Sequence, residues 1–319
     1  MIQLPENFNR VGVAFSGGKD SAVLLHLLKN HDPSVAVVAL HVNHGVRSQE
    51  SCKAECDFVR SFCDEQGVSL CEKTLSLEKD AGENTLRKAR YLVLAEMAQT
   101  EGLQVVALGH HRQDQTESFL MHMLRGADLR GLSPMKDDFQ REGMRFMRPL
   151  LGWSPEMLSQ YAEKMQLKHF EDPTNRENHY RRNKLRNQII PKLEDYHSGC
   201  SERIAELSEA MGELLEWRDG EYEKAFAQMN WHKNAKGELL VSRKLLQDKP
   251  LVLLREWAYR FLSEKSGGTA QVNRGHVHQL VDFIHNGAPG YHPTLFPGRL
   301  QVRAQKRKMV FFTLSDNSD

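Results

Sequence analysis

Two short strings carry residue types that can do chemistry: Ser16-Gly17-Gly18-Lys19-Asp20-Ser21 and His110-His111-Arg112-Gln113-Asp114-Gln115-Thr116-Glu117-Ser118. In the first, paired glycines let the backbone approach a bound group with no Cβ in the way. A helix starting there offers unpaired N–H groups and the positive end of its dipole, an anion site. Ser16 and Ser21 add hydroxyl donors. Asp20 is the odd member, a carboxylate where phosphates would sit. A Mg²⁺ ion between them removes the repulsion, so the acid points to a metal–nucleotide complex with Asp20 as a metal ligand. The Walker pattern G-x-x-x-x-G-K-[ST] is absent. In the second string, Asp114 and Glu117 stand one helical turn apart. That spacing suits orienters of Mg²⁺ or substrate, and equally suits ordinary first-turn acids favoured by the helix dipole. The adjacent His110 and His111 have no third ligand at metal spacing, which speaks against zinc.

Further candidates flank these strings. Arg87 and Arg90 are three residues apart and share a helix face, an arrangement that suits bidentate contact with phosphates or a solvated surface. His41-Val42-Asn43-His44-Gly45-Val46-Arg47 closes an apolar strand, where polar side chains suit contact with adenosine or an acceptor base and equally suit a hydrogen-bonded loop. Net charge is only +1, from 43 basic and 42 acidic residues, so bulk charge does not announce a nucleic-acid binder. Locally, Arg176, Arg181, Arg182, Lys184, Arg186 and Lys192 face only Glu177, and Arg303, Lys306, Arg307 and Lys308 form a second cluster. Such runs are commonly solvated faces, and they are also how a near-neutral protein grips a phosphate backbone.

The elements that must position these residues follow from hydrophobic pattern. Val11 to Phe15, Val35 to Leu40, Val68 to Leu75 and Gln104 to Leu108 read as strands. Helices follow at Ser21 to Leu28, Ser48 to Gln66 and Asn84 to Thr100, with Asn84 as N-cap. This alternation predicts an α/β, Rossmann-like, doubly wound parallel sheet with helices on both faces. Ligands bind such sheets at the carboxyl ends of the strands, where Ser16, His41 and His110 fall. Asp114 to Arg125 reads as a helix with Phe119, Leu120, Met123 and Leu124 on its apolar side. Helices around Glu171-Asp172-Pro173 occupy 154–192, and Asp195 to Cys200 reads as a hinge. A long helix from Ser201 to Met229 and helices at 249–264 and 274–285 precede a hairpin, Leu300 to Ala304 with Met309 to Thr313. The expected division is a catalytic domain at 1–197 and, at 198–319, a helical linker with a smaller α+β domain.

With 319 residues and 40% hydrophobic content, the chain can bury a sizeable core. It holds no membrane-length apolar run and no signal-peptide pattern, so a cytoplasmic location is expected. Five cysteines without a C-x-x-C spacing read as reduced thiols; Cys52, Cys56 and Cys63 fit the packing face of one helix.

The S-G-G-x-D-S string resembles the signature of the PP-loop ATP pyrophosphatase superfamily. Arg87 to Tyr91, Leu124-Arg125-Gly126 to Gly131-Leu132, Arg148-Pro149-Leu150, Asp172 to Asn175 and Arg182-Asn183-Lys184-Leu185-Arg186 extend the likeness over residues 11 to 193. In order and spacing they look like the tRNA(Ile)-lysidine synthetase family. Gln113 departs from that family's pattern, standing where it has the first of two aspartates, and Leu86 and Ser118 are milder departures. Residues His278-Gln279-Leu280 to Gly287 and the final hairpin match the family's recognition region only loosely.

The resemblance implies ligation of L-lysine to the wobble cytidine of a tRNA(Ile) with a CAU anticodon, through an adenylated cytosine, with ATP yielding AMP and diphosphate. It implies catalytic roles for Asp20, Arg90, Asp114 and Glu117 and Mg²⁺ on Asp20 and Asp114. ATP contacts fall to Ser16, Gly17, Gly18, Lys19, Asp20, Ser21, His41 and His110, and tRNA contacts to Arg181, Arg182, Asn183, Arg186 and Arg307. The lysine amine must lose its proton; Asp114, Glu117 and the His110-His111 pair remain open as acceptors. No membrane partner is expected, and homodimerisation stays open. A PP-loop tRNA thiolase is the alternative, weakened by the missing C-x-x-C. Asparagine and GMP synthetases share the loop without the R-N-x-[IL]-R segment, and a non-catalytic nucleotide-binding regulator sits poorly with an intact Asp20.

Overall fold

Continuous apolar runs become the centre of a six-stranded sheet because both of its faces are covered. In the computed structural model, which describes residues 8–43, 49–75, 83–170, 181–227, 229, 232–266, 272–288 and 294–313, β1 (Arg10–Ala14), β2 (Ala36–Asn43), β3 (Ser69–Thr74) and β4 (Val105–Ala107) run parallel. β5 (Asp138–Arg141) and β6 (Met144–Met147) complete the order β3-β2-β1-β4-β6-β5, with β6 parallel to β4 and β5 antiparallel at the edge. Successive side chains of β1 point to opposite faces. Val11 and Val13 enter one core with Leu24 and Leu25 of α1 (Lys19–Lys29) and Val59 and Phe62 of α2 (Gln49–Gln66). Ala14 enters the other, with Leu94, Met97 and Ala98 of α3 (Glu83–Thr100). The expected doubly wound α/β fold is therefore present, and Asn84 lies inside α3 rather than at its cap.

The β5–β6 hairpin was not expected. Its strands are four residues each and carry Asp138, Arg141 and Arg145, so the alternation of Met144 and Phe146 about Arg145 is too short to announce them. Its turn is a two-residue Glu142-Gly143 with φ of 50° and 72°, a geometry that matches the right-handed strand twist. α4 (Arg112–Leu124) buries Phe119 and Leu120 but leaves Met123 and Leu124 47% and 72% exposed, correcting the four-residue apolar side. The last turn runs past the core.

α5 (Leu129–Leu132) and α6 (Pro155–Lys164) follow. Next come α7 (Arg181–Lys184), a π-helical turn at Leu185–Ile189 and α8 (Ile190–Tyr196). The Glu171-Asp172-Pro173-Thr174-Asn175 string and the His44 to Arg47 half of the second-strand motif lie outside the described residues. The chain divides into compact units at Met1–Gly212 and Glu213–Asp319, so the boundary falls inside α9 (Cys200–Phe226) rather than at 197/198. The break expected at Asp195 to Cys200 is the gap between α8 and α9.

The second unit is an antiparallel sheet with helices. β7 (His232–Lys233), β8 (Leu239–Ser242), β9 (Thr294–Phe296), β10 (Leu300–Ala304) and β11 (Lys308–Thr313) take the order β7-β8-β11-β10-β9. α10 (Arg243–Gln247), α11 (Leu251–Lys265) and α12 (Arg274–Asn286) supply the other layer. Trp257, Phe261, Leu280, Ile284, Val302 and Phe311 fill its core. The predicted hairpin is β10–β11, and Arg243 closes the end of α12 through the Ile284 and His285 carbonyls. Among the described residues no helix is long and apolar enough to cross a membrane.

Candidate nucleotide-activation site

The turn from β1 into α1 forms because Gly17 takes φ +77°, a region L side chains rarely enter. Gly18 caps α1 with no side-chain hydrogen bond to the helix, leaving first-turn N–H groups for an anion. The turn is held from within. The Ser21 hydroxyl donates to the Gly18 carbonyl at 2.9 Å and accepts from the Ser16 amide at 3.2 Å. Phe170 closes it by donating its N–H to the Gly17 carbonyl at 2.9 Å. Gly109, after β4, lets this loop approach closely: a Cβ there would lie 3.3 Å from the Ser21 amide nitrogen.

A cavity of about 650 Å³ opens over this turn. Ser16, Gly18, Lys19, Asp20, Ser21, Arg90, His110, Asp114, Arg182, Asn183 and Arg186 all line it, so most sequence-selected residues converge. Lys19 reaches across it, donating from Nζ to the Ser159 hydroxyl at 2.8 Å. His41 does not join them. It is 1% exposed, its Nδ1 is 2.9 Å from the Phe15 carbonyl and its Nε2 faces Cys56 Sγ, so both nitrogens serve the interior. Arg307 is exposed at the β10–β11 turn in the other unit, and Arg181 is exposed on α7.

Below the cavity lies a charge cluster that corrects two expectations. Glu117 has no exposed surface. Its Oε2 accepts from Arg182 Nε at 2.6 Å, its Oε1 from Arg186 Nε at 2.5 Å. Asp114 Oδ1 accepts from Arg182 Nη2 at 2.8 Å and from Arg186 Nη2 at 3.3 Å. Arg182 and Arg186 are thus internal clamps and not free cations of an exposed RNA track. Their i, i+4 spacing runs from α7 into the π-helical turn, which presents both guanidiniums to one side. Forked guanidinium–carboxylate pairing fixes geometry as well as charge. Burial opposes the Arg186 charge, but the hydrogen bond and charge of Glu117, with Asp114 and Asp20, raise its pKa.

The two histidines differ in role. Arg148, itself buried, donates from Nε to His110 Nδ1 at 3.2 Å, so His110 carries its proton on Nε2. Burial pushes His110 down to about 3; Asp114 opposes, and Arg148, Arg90 and Arg182 reinforce. His110 is therefore a neutral donor toward the cavity and no lysine-proton acceptor through Nδ1. His111 places Nε2 3.5 Å from Asp20 Oδ2 and 3.7 Å from Asp114 Oδ2. Burial lowers its pKa, but the Asp20 hydrogen bond and the charges of Asp114 and Asp20 prevail and leave it raised. Burial likewise lowers Arg90.

These contacts test the expected Mg²⁺ ligands. Asp114 Oδ2 also accepts the His111 amide at 2.9 Å, and two guanidiniums already offset the charge of Asp114, which makes it a weaker metal ligand than Asp20. Asp20 is 37% exposed at the mouth of the phosphate turn, and a Mg²⁺ ion fits against it with phosphate oxygens. Sequence reasoning gave Arg148 no role; its signals were the Arg148-Pro149-Leu150 motif of the resemblance and an arginine standing before an apolar run.

A family model described as the PP-loop domain matches residues 2–193. A tRNA(Ile)-lysidine synthase of Haemophilus influenzae (strain PittEE) is 34% identical over 260 residues, 77% of this chain and 57% of the relative. One from Polaromonas naphthalenivorans (strain CJ2) is 35% identical over 216 residues, 65% of this chain and 64% of the relative. The chain thus spans less than two thirds of the length of these curated relatives. Among solved structures, the U34-tRNA thiolase NcsA of Methanococcus maripaludis with its [4Fe-4S] cluster shares the fold, at TM-score 0.54 and 21% identity over 65% of this chain and 74% of that one.

Proposed function

We propose that this chain, which belongs to the PP-loop domain family, uses ATP to join L-lysine to the wobble cytidine of a tRNA(Ile) with a CAU anticodon, forming lysidine and changing codon reading from AUG to AUA. The observation that carries this reading is the convergence of two distant motifs on one phosphate pocket. The arginines of Arg182-Asn183-Lys184-Leu185-Arg186 clamp the acids of Asp114-Gln115-Thr116-Glu117 beside the Ser16–Ser21 turn. The curated relatives named above support the same assignment.

In this reading the cytosine 2-keto oxygen attacks the ATP α-phosphorus and diphosphate leaves. The lysine ε-nitrogen then attacks C2 of the activated base and AMP departs. The first-turn N–H groups of α1 and Lys19 hold the departing diphosphate. Asp20 would hold a Mg²⁺ ion, which would supply charge neutralisation at the phosphates. His110, with Nδ1 occupied by Arg148, presents Nε2–H as a neutral donor. A lysine amine with pKa ~10.4 is neutral about once in ~2,500 molecules at pH 7, equivalent to about 4–5 kcal/mol. The pocket has to offset that cost, and Asp114 and Glu117, already clamped by Arg182 and Arg186, are poor bases for it. The reaction takes place in the cytoplasm, with its tRNA.

The thiolase alternative is not favoured. Burial raises the thiols of Cys56 and Cys71 and takes Cys63 to about 12, the opposite of the thiolates that sulfur transfer or cluster ligation requires. The test is incorporation of labelled lysine, with ATP and Mg²⁺, into a tRNA(Ile) transcript with a CAU anticodon against a wobble-uridine control. Incorporation into the first alone is expected. No incorporation, with ATP cleavage still dependent on tRNA, overturns the ligase assignment.

A further inference from the structure

A second cavity, of about 350 Å³, opens beside the first, and Arg182 lines both. Its wall includes Arg87 of α3, Arg125 just after α4, Arg130 of α5 and Arg182, with no carboxylate among the lining residues. The Arg182 charge is met by Glu117 and Asp114. No described carboxylate pairs with Arg87 or Arg125. Cations gathered around a concave surface focus a positive field that an anion relieves. Arg87 and Arg90, one helical step apart, are shared between the cavities, Arg87 in the second and Arg90 in the first.

We propose that this second cavity is a phosphate subsite for an RNA strand, holding a phosphodiester next to the nucleotide that enters the first cavity. The inference rests on the reading of the chain as an RNA-modifying enzyme. Its shared chemistry is that of any phosphate anion, free diphosphate included. Two observations favour the strand. The α1 N-terminus already offers a cradle for diphosphate, in the first cavity. At the second, Met123 and Leu124 stand exposed immediately before Arg125, setting bare apolar surface next to a guanidinium. A single strand presents bases beside phosphates and suits that pairing; a free anion does not use it.

Arg125 is exposed, so replacing it leaves the core untouched. The experiment uses the full chain and a CAU anticodon stem-loop, with affinity measured across a KCl series for wild type, Arg125→Gln and Arg125→Glu. Inorganic diphosphate binding and wild-type lysine incorporation are measured alongside. Arg125→Gln is expected to weaken RNA binding about tenfold and to reduce the slope of log K against log salt by about 1, Arg125→Glu more, with diphosphate affinity unchanged. Wild-type incorporation with an unchanged RNA slope in both variants overturns the subsite alone. A loss of diphosphate affinity with RNA binding intact also overturns it, in favour of a free-anion site. A wild type that binds no RNA overturns this proposal and the functional reading together.

Discussion

Arg182 Nε lies 2.6 Å from Oε2 of Glu117, a carboxylate with no exposed surface, and the two residues are 65 positions apart in the chain. The pair ties α7 to the helix that carries the second chemical string, and with Arg186 and Asp114 it makes a four-residue cluster. Removing one partner of a buried pair leaves the other charge without compensation, which costs about 3–5 kcal/mol. Glu117→Gln is therefore expected to lower unfolding stability by about that amount, read from its denaturant midpoint at unchanged m-value. A midpoint within about 0.5 kcal/mol of wild type would show that the clamp carries no stability.

The pH dependence has a defined sign. His110 is held at about 3 in the folded protein against an unfolded value of 6.5. As pH falls from 6.5 towards 3, the unfolded chain takes up a proton that the folded chain refuses, so stability declines across that window. Asp114 is lowered as well: burial alone would raise it, but the charges of His111 and Arg182 and the hydrogen bond from the His111 amide prevail, so its contribution is lost only below about its ordinary value of 3.8. His110→Asn should flatten the decline between 6.5 and 4 and leave the lower limb in place. Proton NMR should find the wild-type His110 ring neutral at pH 5, and a titration near 6.5 would contradict the assignment.

Asp20 stands at the mouth of the phosphate turn with His111 beside it and an exposed edge. Asp20→Asn keeps the volume and removes the charge that a Mg²⁺–phosphate complex uses. ATP cleavage is expected to fall at least about a hundredfold, with only a small drop in thermal midpoint from the lost contact to His111. Near-normal diphosphate release from the variant would remove Asp20 from the reaction.

The Gly17 turn gives a backbone test. At φ +77° a Cβ would lie 3.3 Å from both Phe58 and Val59. Gly17→Ala should cost about 1–2 kcal/mol from the left-handed conformation alone, and it should weaken ATP binding by moving the N–H groups of the turn. Unchanged ATP affinity, by calorimetry, would mean that the turn does not hold phosphate.

The parallel sheet and the pocket edge were legible because they rest on local signals: continuous apolar runs for β1, β2 and β4, and a Gly-Gly turn between strand and helix. The motif residues from Ser16 to Ser21, His110 and Asp114 reached the cavity because strand ends in such sheets share one edge. The clamp was not legible, since pairing of Glu117 with Arg182 is a tertiary event and an arginine run reads alike whether its charges are solvated or neutralised. His41 misled for the converse reason: a polar residue at a strand end is free to turn inward when a carbonyl such as that of Phe15 meets it. The β5–β6 hairpin escaped because its strands are only four residues long and charged at Asp138, Arg141 and Arg145, too short for the alternation of Met144 and Phe146 to register.

Arg181 and Arg182 are adjacent in sequence and opposite in circumstance, and that contrast gives the last prediction. Arg181 is exposed on α7, whereas Arg182 keeps 20% of its side chain exposed and is bound to Asp114 and Glu117. Exposed cations facing RNA act through counterion release, so Arg181→Gln should reduce the salt slope of tRNA binding by about 1 and leave the thermal midpoint unmoved. Arg182→Gln strips the fully buried Glu117 of one guanidinium, so its main effect is a loss of about 3–5 kcal/mol of stability, weakly sensitive to salt because buried pairs are poorly screened. Paired thermal melts and tRNA titrations at two salt concentrations separate the two cases. Equal salt slopes and equal stability losses in the two variants would mean that both arginines occupy the same environment, against the geometry of the cluster.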